Sequence, residues 1–122
     1  SVKMIQPYAF ARCSSLEHII LPRSIQYLGS RCFSGCSSLK EIELPEMLKE
    51  ISSELFYHCI SLEHVIIYDN LLTIHTGAFH GCKSLKYLKI PDSVQAMGSK
   101  VFFGCNSLIN VEMPTHPVTS LA

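Results

Sequence analysis

Residues 16–38 read LEHIILPRSIQYLGSRCFSGCSS, and this 23-residue unit recurs along the whole chain of 122 residues. Several residue types return with this step. They are Phe10, Phe33, Phe56, Phe79 and Phe102; Cys13, Cys36, Cys59, Cys82 and Cys105; Ser15, Ser38, Ser61, Ser84 and Ser107; and Leu16, Leu39, Leu62, Leu85 and Leu108. Four columns in register establish an internal repeat, and a fixed period of this length is typical of solenoid architectures.

Each unit predicts one coil. In residues 16–21 the repeated apolar positions Leu16, Ile19 and Leu21 end in alternation, which predicts a half-buried strand, here termed the first arm. Pro22 removes a backbone donor and ends that strand. Residues 25–28 predict a second extended arm, after which Gly29 is expected to turn the chain. In residues 30–36, phenylalanine and cysteine three positions apart predict a single helical or 3₁₀ turn.

A single coil is not expected to fold alone. Its roughly eight core side chains contribute about 12–24 kcal/mol, whereas ordering its residues costs about 35 kcal/mol. Stacking buries both faces of a coil and pairs the strands of neighbouring coils. We therefore predict one domain over residues 1–122, with about five stacked coils belonging to a longer array.

The run Leu-x-x-Ile-x-Leu-Pro, followed by AFHGC at residues 78–82, closely resembles the BspA-like, or treponemal-type, class of leucine-rich repeats. The fold class that we predict is α/β: a right-handed leucine-rich-repeat solenoid, mainly parallel β, with short helical or 3₁₀ turns. The resemblance implies that the first-arm sheet lies on the concave side. It also implies surface or secreted proteins of bacteria and parasitic protists, some of which resemble adhesins.

The copies depart from this pattern at a few positions. Leu55 and Val101 replace the small residue before phenylalanine, Ser52 and His75 replace the turn glycine, and Tyr68 replaces proline. Each departure is expected to bend or bulge one coil without changing the fold.

Neither end of the chain has an obvious cap. Val2 and Ile5 fall in the columns of the second arm, and residues 115–118 break the register. Because the end coils of a solenoid otherwise expose their core, we expect neighbouring repeats or domains to cover both ends.

Composition excludes several functions. The 10 basic and 10 acidic residues cancel, so nothing indicates binding to nucleic acid or to an anionic membrane. No apolar run approaches the roughly 20 residues that a membrane helix needs. The sequence has no phosphate-binding glycine loop, no GxSxG and no HExxH. We predict a protein that is not an enzyme and needs no cofactor or metal.

The cysteine and serine columns are predicted to be structural. Neighbouring coils lie about 4.8 Å apart with parallel side chains, so a disulfide between them would be strained. We expect six reduced core thiols, including Cys32, which falls in the column of Ala78. A hydrolase would need one special serine, so five equivalent serines argue against a catalytic nucleophile. We expect each serine hydroxyl to form a hydrogen bond with the backbone of a turn.

The first arms carry two outward columns. These read His18, Glu41, His64, Tyr87, Asn110 and Ile20, Glu43, Ile66, Lys89, Glu112. Exposed apolar and aromatic residues among charges are typical of protein-binding surfaces, although such residues are also ordinary in strands. The predicted protein-binding residues are His18, Ile20, Glu41, Glu43, His64, Ile66, Tyr68, Tyr87 and Lys89.

Other interpretations remain open at this stage. His18, Glu41 and His64 have the composition of a metal site, although histidines two coils apart are separated by roughly 10 Å. The turn tips Tyr57, His80 and Phe103 form a second candidate surface, and Phe103 could equally fold inward. The sequence favours a cell-surface or secreted adhesion module that binds a host or extracellular-matrix protein. The alternative is a structural spacer or interaction arm within a larger multidomain protein.

Overall fold

The computed structural model describes residues 1–121 and contains the predicted stacked coils. Within this range the chain forms ten parallel strands of two or three residues. The first arms form β3 (Glu41–Glu43), β5 (His64–Ile66), β7 (Tyr87–Lys89) and β9 (Asn110–Glu112). The second arms form β1 (Met4–Ile5), β2 (Tyr27–Leu28), β4 (Glu50–Ile51), β6 (Thr73–Ile74), β8 (Ala96–Met97) and β10 (Thr119–Ser120). The predicted parallel solenoid is confirmed.

Strand pairing keeps the period of the sequence. Glu41 pairs with His64 and Glu43 with Ile66, so every partner lies 23 residues away. The first arm at residues 16–21, however, has no strand geometry, so the predicted strand is wrong in that copy. One backbone hydrogen bond, from the Lys40 N–H to the Glu17 oxygen at 3.1 Å, joins it to the next first arm.

Each line of strands is also interrupted once among residues 1–121. The first arms form the pairs β3–β5 and β7–β9, and the second arms form β1–β2 and β10–β8–β6–β4. The gap between β5 and β7 lies in the coil where Tyr68 replaces proline. At the gap between β2 and β4, the hydroxyl of buried Ser52 donates to the Leu28 carbonyl. The two interruptions thus coincide with two departures from the repeat pattern, Tyr68 in place of proline and Ser52 in place of the turn glycine.

The predicted helical turn is wrong, because residues 1–121 contain no helix of any kind. Around each phenylalanine, successive backbone amides alternate between a hydrogen bond within the coil and a hydrogen bond to the next coil. The Cys36 N–H donates to the Phe33 oxygen within the coil at 3.1 Å, whereas the Phe33 N–H donates to the Leu55 oxygen of the next coil at 3.1 Å. A 3₁₀ helix would use every amide within the coil. The segment is instead a series of turns joined sideways to the next coil.

Two fixed columns of these turns have left-handed backbone. They are Tyr8, Arg31, Glu54, Gly77 and Lys100, and Arg12, Gly35, His58, Gly81 and Gly104. Gly29, which was expected to turn the chain, belongs to neither column, and the turn residues begin directly after it. Glycine is needed there for space, since a Cβ on Gly29 would lie 2.2 Å from the Pro7 nitrogen.

The core consists of side-chain ladders that run through the coils. The Phe56 ring stacks between those of Phe33 and Phe79, with centroid distances of 5.8 and 5.4 Å. Beside it, the Cys59 thiol donates to the Phe33 carbonyl at 3.0 Å, and the Cys82 thiol to the Phe56 carbonyl at 3.2 Å. These contacts explain why both residue types return in every coil.

The cysteine prediction holds for four of the six thiols, because Cys105 is only half-buried and Cys13 is exposed. All six cysteines are free, and Cys32, Cys36, Cys59 and Cys82 are buried. Cys13, in contrast, is exposed in the first described coil, so its prediction as a core thiol is wrong. The serine prediction holds for two of the five copies: Ser61 and Ser84 donate to backbone carbonyls at 2.7 Å, and these carbonyls belong to the preceding coil.

Candidate binding face

Strand alternation presents the two outward columns of the first arms to solvent. In β3, Ile42 is buried while Glu41 and Glu43 are exposed, and β7 repeats this pattern. We call the surface formed by these two columns the first-arm face. Its apolar members are accessible: Ile20 is 96% exposed, Ile66 52% and Tyr87 48%. The outward orientation that alternation predicted for the two isoleucines is confirmed.

Shallow hollows lie on this face on both sides of β5. One, of about 250 Å³, is lined by His18, Ile20, Glu41, Glu43, His64 and Ile66, together with Ile19 and Ile42. The other, of about 310 Å³, lies at the interruption between β5 and β7 and is lined by His64, Ile66, Tyr87 and Lys89, with Val65 and Ile67. The structure therefore brings the predicted residues together as one continuous surface, because Ile66 borders both hollows.

The remaining predicted residue, Tyr68, lies at the edge of the same face. Its hydroxyl donates to Glu43 Oε2, one coil back. This hydrogen bond to the carboxylate raises the pKa of Tyr68, which favours the neutral phenol. Proline at this position, as in the other coils, would offer no such contact.

A similar contact is present two coils further along. The Tyr87 hydroxyl donates to Glu112 Oε1 at 3.2 Å, and Lys89 Nζ lies 3.7 Å from Glu112 Oε2. Partial desolvation, followed by the bond to Glu112, raises the pKa of Tyr87. Glu112 was missing from the predicted binding residues, although it stands in the same outward column as Lys89.

The alternative of a metal site gains no support. His18 Nδ1 lies 3.8 Å from Glu41 Oε1, and both side chains are 60% exposed. No group of three or more histidine, cysteine, aspartate or glutamate side chains in residues 1–121 is arranged to hold a metal ion. His64 shares a hollow with His18 and Glu41 but completes no coordination shell with them.

The turn edge forms a separate aromatic stripe. His80 packs between Tyr57 and Phe103, with ring centroids 4.8 and 4.9 Å away. Phe103 is 60% exposed, so it points outward. Nearby, the Arg31 guanidinium lies 5.4 Å from the Tyr57 ring and is bound by Glu54 at 2.7 Å. Its cation is therefore already paired within the chain.

No helix capable of crossing a membrane occurs in the described part of the chain. This finding agrees with the lack of long apolar runs in the sequence.

Comparison with known proteins identifies the repeat. The model of the BspA type leucine rich repeat region matches residues 3–121 in six copies. The leucine column has five members in the sequence, but the second arm occurs as six strands, in agreement with the larger count. No curated protein matches the chain.

Solved structures share the fold over nearly the whole chain. A leucine-rich cell-surface protein from Faecalibacterium prausnitzii A2-165 is 31% identical, with a TM-score of 0.89 over 95% of this chain and 30% of its own. A leucine-rich repeat protein from Bacteroides ovatus ATCC 8483 is 39% identical, with a TM-score of 0.88 over 93% of this chain and 29% of its own. A leucine-rich repeat protein from T. pallidum is 28% identical, with a TM-score of 0.80 over 98% of this chain and 67% of its own. The chain thus spans less than a third of the length of the first two.

Proposed function

Because the chain belongs to the BspA-type leucine-rich repeat family, we propose that it is a non-catalytic scaffold that binds another protein through its first-arm face. The observation that carries this proposal is the exposure of Ile20, Ile66 and Tyr87 on one surface, among polar groups and beside two shallow hollows. Protein interfaces combine apolar and aromatic anchors with a polar surround in this way.

The arrangement of polar groups supports binding over catalysis. The serines Ser61 and Ser84 use their hydroxyls to join coils, and the buried thiols donate to phenylalanine carbonyls. These groups, which nucleophilic catalysis would need free beside a base, are therefore engaged in the fold. The hollows are also shallow, so water has access to their polar groups.

We propose further that the protein is displayed on a cell surface or secreted, and that it acts in adhesion to a host or extracellular-matrix protein. The relative from Faecalibacterium prausnitzii is described as a cell-surface protein, which supports the location. Additional repeats or domains would cover the two ends, where Phe10 and Phe102 are only half-buried.

The test measures saturable binding of the chain to a panel of immobilised extracellular-matrix and plasma proteins. A triple variant, Ile20→Glu, Ile66→Glu and Tyr87→Glu, removes the apolar anchors of the first-arm face. We expect the wild type to bind at least one protein of the panel and the variant to lose that binding while keeping the circular dichroism spectrum of the wild type.

A control triple variant makes the same charge change at exposed apolar residues elsewhere: Ile60→Glu, Leu72→Glu and Phe103→Glu, which are 41%, 40% and 60% exposed. This control should bind like the wild type. Loss of binding in the control alone would place the site outside the first-arm face and contradict the proposal. If the wild type bound nothing, the spacer role in a larger protein would replace it.

A further inference from the structure

The zero net charge of the chain conceals a strong separation of charge between its faces. One surface consists of the first-arm face and the turn positions that follow the first arms, Arg23, Glu46, Asp69 and Asp92. It carries six carboxylates and two cations, a net charge of −4. The carboxylates are Glu41, Glu43, Glu46, Asp69, Asp92 and Glu112, and the cations are Arg23 and Lys89. The other four carboxylates and eight cations lie elsewhere, which gives that remainder a net charge of +4.

The adjoining turn positions belong to the same surface as the first-arm face. A hollow of about 270 Å³ is lined by Ile20, Arg23, Glu43, Glu46 and Tyr68, with four further residues. Another, of about 390 Å³, is lined by residues that include Tyr68, Asp69, Lys89, Asp92 and Glu112. All six carboxylates belong to exposed residues. The negative charge therefore surrounds the apolar anchors rather than lying on a distant part of the molecule.

The hydrogen bonds on this surface hold the carboxylates without neutralising most of them. Tyr68 binds Glu43 through a neutral phenol, and the backbone N–H of Ser93 binds Asp69 at 3.0 Å. Asp92 accepts from the backbone N–H of Thr115 at 2.8 Å. A carboxylate offers about four acceptor positions, so each of these groups can still accept further hydrogen bonds from a partner.

Glu43 has the most favourable position for such a contact. It stands in the same outward column as Ile20 and Ile66 and between them, and the two isoleucines are separated by two coil spacings, roughly 10 Å. The bond from Tyr68 fixes the Glu43 side chain before any partner arrives, which reduces the entropy lost on binding. Three neighbouring coils therefore present an apolar, an acidic and an apolar side chain in one line: Ile20, Glu43 and Ile66.

We infer that the partner is a protein whose contact surface is basic, and that it places a lysine or arginine on Glu43 between apolar side chains that pack on Ile20 and Ile66. This inference rests on the proposed protein-binding function and specifies the chemistry of the partner. Complementary charge accelerates association and selects among partners. The same −4 surface repels acidic proteins and polyanions.

The test uses two short fluorescent peptides, one alternating lysine and leucine and the other alternating glutamate and leucine. Fluorescence anisotropy measures the Kd of the intact chain for each. We expect the lysine peptide to bind at least about 10-fold more tightly, and its affinity to fall between about 0.05 and 0.3 M NaCl because exposed charges are screened. Equal affinity for both peptides, or no binding of the lysine peptide, would overturn the inference.

Matched variants locate the interaction. Glu41→Gln with Glu43→Gln removes two charges from the first-arm face and should weaken binding of the lysine peptide by at least about 3-fold. Glu17→Gln with Glu50→Gln changes the net charge equally but lies outside the acidic surface, and should leave the affinity unchanged. Tyr68→Phe should weaken binding by about 2-fold, because Glu43 is then less well ordered. Equal weakening by both double variants would mean that only the net charge of the chain matters, and would overturn the inference.

The two proposals can fail separately. If a panel protein binds through Ile20, Ile66 and Tyr87 while the two peptides bind alike, the basic partner is wrong and the binding function stands. If the lysine peptide binds an uncharged Ile20→Ala and Ile66→Ala variant as well as the wild type, the isoleucines do not hold the basic partner and the inference fails, whereas the binding function fails only if the glutamate triple variant keeps its binding to the panel protein.

Discussion

The hydroxyl of Ser52 donates a hydrogen bond to the backbone carbonyl of Leu28, 24 residues earlier and in the preceding coil. In other coils the backbone N–H of the equivalent residue makes this contact: Gly29 donates to the Ile5 oxygen, and Gly98 to the Ile74 oxygen, each at 2.8 Å. A side chain has therefore replaced a main-chain donor at this one boundary.

We expect Ser52→Ala to lower the free energy of unfolding by about 1–3 kcal/mol, because it leaves the Leu28 carbonyl without this buried donor. Ser52→Gly should cost less, since the smaller residue allows the backbone N–H to approach Leu28 as Gly29 approaches Ile5. Urea unfolding followed by circular dichroism measures both, with the exposed Ser14→Ala as a control. A Ser52→Ala variant as stable as the control would show that the hydrogen bond contributes nothing.

The phenylalanine ladder predicts a large cost at its centre. Phe56 is 0% exposed and stacks on both neighbours, so Phe56→Ala should lower the free energy of unfolding by about 3–5 kcal/mol. Phe103→Ala, one position beyond the last phenylalanine of the ladder and 60% exposed, should cost less than about 1 kcal/mol. Similar losses at the two positions would mean that the ladder is not the core of the chain.

Thiol reactivity should divide the cysteines by burial. The exposed Cys13 is expected to react rapidly with a disulfide reagent under native conditions, whereas Cys59 and Cys82 should react only as the chain unfolds. Stopped-flow absorbance counts the fast thiols, and Cys13→Ser should abolish the fast phase. Rapid labelling of the Cys13→Ser variant would contradict the buried cysteine ladder.

Stability should decline in alkaline solution. Burial raises the pKa of Cys32 and Cys36 from 9.0 to about 11, and it also raises the pKa of Cys59 and Cys82. Above pH 9 these thiols lose their protons in the unfolded chain first. Their contribution to the free energy of unfolding is complete below pH 9 and is lost as the pH rises towards 11. The loss amounts to at most about 1.4 kcal/mol per pH unit for each thiol.

Urea unfolding at several pH values, with reductant present, measures this decline. Cys32→Ala should reduce the slope by the share of one thiol, and Ser14→Ala, which removes no titrating group, should leave it unchanged. A free energy of unfolding that stayed constant from pH 9 to 11 would contradict the effect of burial.

The sequence predicts the fold well because its determinants recur in columns. Phe33, Cys36 and Leu39 are all buried as their repetition indicated. The helical turn was predicted wrongly because the spacing of Phe33 and Cys36 indicates contacts within one coil only. The Phe33 N–H instead donates to the Leu55 oxygen of the next coil. Spacing within one repeat carries no information about hydrogen bonds between repeats.

The candidate site was predicted less completely. Strand alternation correctly placed Ile20 and Ile66 outside. The acidic character of their surroundings was missed because only the total charge was considered, and the basic residues on other faces cancel it. Assigning each charge to its column would have separated the two sets. The bond from Tyr68 to Glu43 depends on side-chain reach across coils, which the sequence does not give.

The lack of strand pairing between the coil of residues 16–38 and the coil of residues 39–61 has a mechanical consequence. At this boundary no strands pair among the described residues, yet three turn-edge amides, those of Arg31, Phe33 and Gly35, still donate to the next coil. The arms of the two coils are joined instead by single hydrogen bonds, from Lys40 to Glu17 and from Ser52 to Leu28. We therefore expect the arms to part more readily at this boundary than the turn edge does, so that the spacing between Ile20 and Glu43 adjusts to the shape of a bound partner.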